Sequence, residues 1–283
     1  MENSNSGKPN IVIVGHIVID HNKTEKASYV RWGSPAMFMR QYFRSNFAIN
    51  PTIIASYGDD FLQFASDTIL LPKQPNLEKS IVFENIYTQG PRIQYCHNEK
   101  NILPEITQDV IDSVSKADLL FLATLTTAYT KEYVDDLMQH ANPNCLKVLS
   151  PQGYFRTIAE DGLVSTREFE EAAEIVPNFD LMIISDEDYP EADRVAHEWK
   201  HFSPKTNIIV TENARGADII LENGVQHVPT NPVTPEDAVD PTGLGDVFTA
   251  ATSLKLLQSR NLEEAVKAGH VAAREKLLSP IVR

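Results

Sequence analysis

The chain has 283 residues, 42% of them hydrophobic and 23% charged, and its formal net charge is −14. An acidic protein is a poor partner for nucleic acid or an anionic membrane, since both repel it. No run approaches the ~18 apolar residues of a membrane helix, and residues 1–10 lack the apolar core of a signal peptide, so we expect a cytoplasmic protein. The spacing of Cys96 and Cys145 suggests neither a disulfide framework nor a metal site.

Short apolar segments rich in β-branched residues alternate with segments of helical periodicity along the chain. The predicted strands are residues 11–15, 52–55, 119–123, 147–149, 181–184 and 207–211. Residues 131–140 and 167–175 have helical spacing, and Asn261 with Glu264 is typical of the start of a last helix. This alternation predicts a mostly parallel central sheet with helices on both faces.

Residues 81–87 and 92–96 interrupt the alternation, because they have the pattern of two antiparallel strands around a turn at 88–91. On the second strand, Arg92 and Gln94 share one face. We expect this hairpin to be a lid that keeps water out of a reaction site. The alternative is an edge hairpin with a solvated polar face.

The most informative motif runs from Val239 to Asp246 and leads directly into an apolar helical segment. Gly243 and Gly245 allow a tight turn that exposes amide N–H groups at a helix N-terminus, an arrangement that suits a phosphate. A carboxylate at Asp246 makes chemical sense there if it accepts a proton from a hydroxyl that attacks the phosphate. The motif predicts a phosphoryl-transfer centre, and the alternative is an ordinary turn with an acidic cap.

The string Asp240-Pro241-Thr242-Gly243-Leu244-Gly245-Asp246 resembles the C-terminal signature Asp-Thr-Thr-Gly-Ala-Gly-Asp of the ribokinase-like, or pfkB, carbohydrate kinases. The resemblance implies an α/β ribokinase-like fold with a mostly parallel central sheet, helices on both faces and a small β-lid. It implies one domain over residues 1–283, with lid segments at about 16–34 and 78–98. It also implies that Asp246 is the general base and that the amides of 243–246 form the anion hole. The catalytic residues are then Asp246, Gly243, Leu244 and Gly245.

Asp20 follows the first predicted strand, in the region where ligands collect in α/β sheets. By itself Asp20 is typical of a turn, but the resemblance points to it as a ligand of two vicinal hydroxyls. The segment Trp32-Gly33-Ser34-Pro35-Ala36 resembles the family's N-terminal glycine motif, with only Gly33 of the glycine pair retained. It also fits a helix start with Ser34 as the cap and Pro35 at the first position.

The segment from Ser150 to Arg156 follows another predicted strand. Gln152 offers donors and an acceptor to hydroxyls, and Arg156 carries the charge to bind a phosphate, whereas the alternative is a surface turn with a solvated cation. Pro-Gln-Gly with a nearby arginine, like the pair Arg92 and Gln94, resembles the inositol-kinase-like branch of the family. The substrate-binding residues that the resemblance implies are Asp20, Gly33, Arg92, Gln94, Gln152 and Asp246.

Residues 211–217 resemble the family's Thr-x-Gly-x-x-Gly nucleotide turn, with Asn213, which tolerates a left-handed backbone, in place of the middle glycine. Residues 185–188 stand where the family has an Asn-x-x-Glu that organises water around Mg²⁺. A plain hairpin turn and a solvated acidic loop are the alternatives. The ATP-binding residues implied are Thr211, Asn213, Gly216, Gly243, Gly245 and Arg156, those for Mg²⁺ are Asp188 and Glu187, and a monovalent cation is expected near Asp240.

The implied reaction transfers the γ-phosphoryl group of ATP to a hydroxyl of a sugar or cyclic polyol, with a myo-inositol-like acceptor preferred. A nucleoside is the alternative acceptor, because Trp32, Tyr95 or Phe155 can stack on a base. A non-catalytic sugar-binding regulator of the same fold is a further alternative, against which the retained Asp246 argues. We expect a small-molecule partner and a monomer or a homodimer formed through the lid.

Overall fold

The structure is a computed structural model, and it describes residues 7–25, 27–87, 92–100, 102–234, 236–239 and 241–279. The turn at 88–91 and Asp240, with the monovalent cation expected beside it, lie outside the described residues. The strands are β1 Ile11–Gly15, β2 Val18–Lys23, β3 Ser28–Gly33, β4 Thr52–Ile54, β5 Ile69–Leu71, β6 Ile81–Ile86, β7 Ile93–His97, β8 Leu119–Ala123, β9 Leu146–Ser150, β10 Arg156–Ile158, β11 Val164–Thr166, β12 Leu181–Ser185, β13 Asn207–Thr211, β14 Ala217–Leu221 and β15 Gly224–Val228. The helices are α1 Pro35–Phe47, α2 Gln108–Val114, α3 Lys131–Gln139, α4 Ala172–Ile175, α5 Ala192–Phe202, α6 Leu244–Ser259 and α7 Leu262–Leu278.

The main sheet has nine strands within the described residues, in the order β15-β14-β13-β12-β9-β8-β1-β4-β5. The strands from β13 to β5 run parallel, and β14 and β15 are added antiparallel at one edge. Both faces are covered, since Ile11 and Ile13 belong to one buried cluster and Val12 and Val14 to the other. The expected α/β fold with a mostly parallel sheet is confirmed, and the apolar runs are buried on both faces as such a sheet requires.

A second sheet stands apart from the main one, with the strand order β3-β2-β6-β7. The predicted antiparallel pair is present as β6 and β7, with Phe83 opposite Cys96. It is not an edge hairpin of the main sheet, because β6 pairs in parallel with β2, and β2 pairs antiparallel with β3. We refer to β2, β3, β6 and β7 as the lid.

The helix predicted over 167–175 is wrong for most of its length, because only Ala172–Ile175 is helical. The Arg167 amide instead donates to the Phe155 carbonyl at 2.8 Å. Phe169 stacks on Tyr154, with ring centroids 4.3 Å apart. These long-range contacts keep residues 167–169 outside a helix, against the local helical periodicity.

Helices α1, α6 and α7 cover one face of the main sheet. The Ser34 hydroxyl accepts the Met37 amide at 3.4 Å and caps α1, and the Asn261 side chain caps α7 by accepting the Glu264 amide at 3.0 Å, as the sequence predicted. Gly269 lets α7 approach α6 closely, since a Cβ there would lie 2.2 Å from Thr252 Oγ1. Among the helices in the described part of the chain, none combines the length and the apolar character that crossing a bilayer requires.

Candidate active site

The N-terminus of α6 presents backbone donors to an open space. Gly243 is the N-cap, with φ 79°, a left-handed conformation that favours glycine. A Cβ at Gly243 would also lie 2.4 Å from the Phe38 ring, whereas one at Gly245 would meet nothing within 4 Å. The first helical amides have no acceptor inside the helix. This end of α6 therefore offers unpaired N–H groups and approach space to an anion.

Asp246 lies in the first turn of α6 and is half-buried. Burial raises the pKa of this carboxyl to about 7, the nearby Asp188 raises it further, and Arg156 opposes the shift. Asp20 adds a smaller repulsion of the same sign. Charges from three distant parts of the chain thus act on one carboxyl, which gives Asp246 a pKa suited to proton transfer near neutrality.

Asp20 lies on β2 of the lid and is 7% exposed. Burial raises its pKa to about 6, while Arg31, directly opposite on β3, and Arg92 favour the ionised form, as does a hydrogen bond from Asn85. Gly33 lies beside this carboxylate, and a Cβ there would be 2.2 Å from Asp20 Oδ2. The glycine that the sequence retains is thus required for Asp20 to occupy its position.

Gln152 and Arg156 are half-buried beside Asp188, so they do not form a solvated surface turn. The Gln152 Nε2 donates to Asp188 Oδ1 at 2.6 Å, and the Ser185 amide donates to Asp188 Oδ2 at 3.4 Å. Burial lowers the pKa of Arg156 to about 10, although the Asp188 carboxylate acts against the shift. Arg92, itself exposed, is close enough to disfavour the charged form of Arg156.

The expected nucleotide turn has the backbone that its sequence predicted. Asn213 has φ 54° and Gly216 has φ 120°, both in the left-handed region. The turn is tied to the loop after β12, because Asn213 Nδ2 and the Arg215 guanidinium both donate to Asp186, at 3.1 and 2.7 Å. The Thr211 hydroxyl donates to the Ile184 carbonyl at 3.4 Å. This turn lies at the carboxyl end of β13, the edge of the sheet where ligands bind in such folds.

The backbone and side-chain groups of this site are of the kinds that bind ATP and Mg²⁺. The open N-terminus of α6 fits phosphate oxygens, and Asp188 keeps unused lone pairs with which it would hold hydrated Mg²⁺. Glu187 is exposed, and its amide donates to Ser185 Oγ at 3.2 Å, which shapes the loop. Elsewhere in the described chain, one trio of potential metal ligands lies with its atoms within 4.8 Å of one another, and it consists of Glu212, Asp218 and His227.

The structure adds polar lid residues that the sequence did not single out. Gln94 Nε2 donates to Asn85 Oδ1 at 2.7 Å, and Asn85 Nδ2 donates to Asn22 Oδ1 at 3.2 Å. Asn22 and Asn85 are 2% and 4% exposed. The lid therefore carries a row of amides from half-buried Gln94 on β7 to buried Asn22 on β2, and Asn85 in the middle also bonds Asp20. Asn85 lies on the predicted strand 81–87, and its alternation there was the available signal, which becomes informative only once the buried face is known; Asn22 lies on β2, which the sequence did not predict.

Comparison with known proteins assigns the family. Residues 89–280 match the model of the pfkB family carbohydrate kinases, and the chain belongs to this family. A curated relative, the cytidine kinase of Thermococcus kodakarensis, is 35% identical over 97 residues, which is 34% of this chain and 33% of that kinase. The match thus spans about a third of the relative's length.

Solved structures of the ribokinase family have the same fold. The ribokinase of Thermotoga maritima aligns with a TM-score of 0.72 and 18% identity over 96% of this chain and 94% of that one. The ribokinase of Giardia lamblia gives 0.76 and 15% over 96% and 94%. A pyrophosphate-dependent kinase in the ribokinase family, complexed with a pyrophosphate analog and myo-inositol, gives 0.75 and 15% over 95% and 96%. At these identities the similarity concerns the fold.

Proposed function

We propose that this protein transfers the γ-phosphoryl group of ATP to a hydroxyl of a sugar or cyclic polyol, with a myo-inositol-like ring as the preferred acceptor. The observation that carries the proposal is the position of Asp246 in the first turn of α6, beside open backbone donors and with a pKa raised to about 7. A protein that only bound a sugar would not need a general base beside an anion-binding site.

In the proposed mechanism, Asp20 accepts hydrogen bonds from two hydroxyls of the acceptor and orients a third towards Asp246. Asp246 takes the proton of that hydroxyl as the hydroxyl oxygen attacks the γ-phosphorus of ATP, and the bond from this phosphorus to the β–γ bridging oxygen breaks to release ADP. The amides of 243–246 stabilise the charge that develops on the transferred group, and Arg156 adds a cation on the same side. Gln152, fixed by Asp188, offers its remaining polar atoms to the acceptor. Mg²⁺ would neutralise phosphate charge, held through water by Asp188 on the loop that includes Glu187.

A nucleoside acceptor is the second candidate. The similarity to a cytidine kinase over 97 residues supports it, although that match covers about a third of either chain. The lid amides Asn22, Asn85 and Gln94 support it as well, since amides can bind the polar edge of a base. A polyol would depend more on Asp20, whose carboxylate binds vicinal hydroxyls.

The test is ADP release from ATP–Mg²⁺ across a panel of sugars, cyclic polyols and nucleosides, with Asp246→Asn measured beside the wild type. We expect turnover with one acceptor class and a loss of at least ~10²-fold in kcat for Asp246→Asn, because general-base catalysis contributes about that much. Glu222→Gln, which neutralises an exposed turn carboxylate, is the matched control and should retain full kcat. Near-full activity of Asp246→Asn would refute the mechanism. If the protein binds one of these compounds tightly but phosphorylates none of them, the result would favour a regulator.

A further inference from the structure

A hairpin that contains Arg156 reaches the lid. This hairpin, residues 156–166, consists of β10 and β11 with the turn between them. The Cys96 amide of β7 donates to the Gly162 carbonyl at 2.8 Å. Next to this bond, Tyr95 and Leu163 form an antiparallel bridge. The tip of the hairpin therefore continues the lid sheet beyond β7.

The body of the hairpin also packs against the lid. Ile158 and Val164 contact a small apolar cluster under the lid, which includes Phe83 of β6 and Cys96 of β7. The guanidinium of Arg156 lies over the Phe83 ring, with its Cζ 5.5 Å from the centroid. Backbone bonding, apolar packing and a cation–π contact thus join the same two elements.

Arg156 places an unused donor at the candidate active site. Its Nη1 is buried and has no hydrogen-bond partner, and Asp188 and Asp20 are close enough to act on its charge. A buried donor without a partner is costly, and a cationic one more so. Such a donor is explained if an anionic oxygen binds it during function. The backbone that carries Arg156 is the start of the hairpin that the lid holds at its tip.

We propose that hairpin 156–166 is a clasp that couples the lid to the phosphate site, so that docking of β7 on Gly162 fixes the position of Arg156. Gly162 is then a positioning residue, and Arg156 is the group through which it acts. The proposal rests on the proposed phosphoryl transfer. It implies that the phosphate of ATP is fully held only while the lid lies over the acceptor. This arrangement limits transfer of the phosphoryl group to water.

Gly162→Val tests the docking contact. Gly162 has φ 89°, and a Cβ there would lie 2.7 Å from the Cys96 carbonyl oxygen. The control is Gly224→Val, which is also a glycine of positive φ in a hairpin turn but has nothing within 4 Å of its Cβ. Loss of one hydrogen bond should speed hydrogen exchange at the Cys96 amide about fivefold or more in Gly162→Val and leave it unchanged in the control. If Gly162→Val fails to fold, Val164→Ala weakens the same docking by a smaller change.

A double-mutant cycle tests the coupling to Arg156. Calorimetry measures ATP–Mg²⁺ affinity for the wild type, Gly162→Val, Arg156→Ala and the double variant. If Gly162 acts through Arg156, each single change weakens binding about tenfold and the double variant binds no worse than Arg156→Ala alone. If the two changes weaken ATP–Mg²⁺ binding multiplicatively in the double variant, or if Gly162→Val alone leaves the affinity unchanged, the proposal that the hairpin is a clasp is wrong.

The two proposals fail differently. If the wild type does not bind ATP, the proposed function is refuted. Hydrogen exchange at the Cys96 amide then remains as the test of whether hairpin 156–166 is coupled to the lid. In that case Arg156→Ala must still speed exchange at the Cys96 amide, because it removes the cation–π contact with Phe83. Unchanged exchange in Arg156→Ala would refute the coupling.

Discussion

Replacing Asp246 by asparagine removes a charge that the fold holds in an unfavourable place. Because burial and Asp188 raise the pKa of this carboxyl from 3.8 to about 7, the folded protein prefers its protonated form. The unfolded chain ionises the group near its ordinary pKa. Asp246 therefore stabilises the fold in acid, and this contribution is lost as the pH rises through 7. The amide of the variant cannot be ionised and should escape the loss, so Asp246→Asn is expected to raise stability above neutral pH.

The magnitude follows from the two pKa values. At 1.36 kcal/mol per pH unit, the change from 3.8 to about 7 corresponds to at most about 4 kcal/mol over the full pH range. Asp246 is only half-buried, and solvent screens part of the interaction. Between pH 5 and pH 8 we therefore expect the variant to gain about 1–2 kcal/mol of unfolding free energy relative to the wild type.

Urea unfolding at pH 5 and pH 8 measures this difference without any knowledge of the acceptor. Glu222→Gln is again the control, because it removes an exposed carboxylate and should show no gain that depends on pH. Other titrating groups are shared by wild type and variant, so their contributions largely cancel. A difference in stability between variant and wild type that is the same at pH 5 and pH 8 would show that Asp246 does not occupy a strained electrostatic position.

Three further variants test neighbouring parts of the site. Asp20→Asn should raise the KM of the acceptor about tenfold at pH 8. In the wild type we expect KM to rise as pH falls below about 6, where Asp20 becomes protonated, and Asp20→Asn should abolish this rise. Gly33→Ala should raise the same KM, because its Cβ would lie 2.2 Å from Asp20 Oδ2, while Gly224→Ala should leave KM unchanged. Gly243→Ala should cost about 1–3 kcal/mol in urea unfolding, since φ 79° and Phe38 both oppose a side chain, and it should weaken ATP binding in calorimetry.

The inner strands of the main sheet were predictable because they are buried on both faces, whereas the edge strand β5, with Ile69 exposed, was not predicted. Strands buried on both faces must be apolar throughout, so Ile11–Gly15 and Leu119–Ala123 stand out from their surroundings without any knowledge of their partners. The segment 167–175 was not predictable in the same way. Its helical periodicity is real, but Phe169 stacks on Tyr154 instead, and this contact between distant residues is not encoded in the local sequence.

The strands β2 and β3 were harder to recognise than the rest of the lid. Val18–Lys23 contains a buried aspartate and a buried asparagine at alternate positions, and Ser28–Gly33 contains a buried arginine. Polar residues normally mark the solvent side of a strand, so the alternation suggests the wrong face. Here the polar face is buried near the candidate site, where the charge of Arg31 beside Asp20 and the Asn85–Asn22 hydrogen bond offset part of the cost, although Asn22 Nδ2 is buried without a hydrogen-bond partner. In β2 and β3 the polar alternation and the observed burial therefore conflict, which is expected where a fold carries a binding site.

The family motifs pointed to Asp20, Asp188 and Asp246, but the sequence could not predict the electrostatic relation among them. Asp20, Asp188 and Asp246 are separated by long stretches of chain, and each separately resembles a turn or loop carboxylate. Only the folded structure brings their charges close to one guanidinium, that of Arg156. Burial is the main cause of the raised pKa of Asp246; repulsion from Asp188 and, more weakly, from Asp20 adds to it, while Arg156 opposes it. A carboxylate whose pKa lies near neutrality is a more effective base. Under the proposed mechanism, the burial and repulsion that destabilise the ionised form of Asp246 are also what suit this carboxyl to accept a proton near neutral pH.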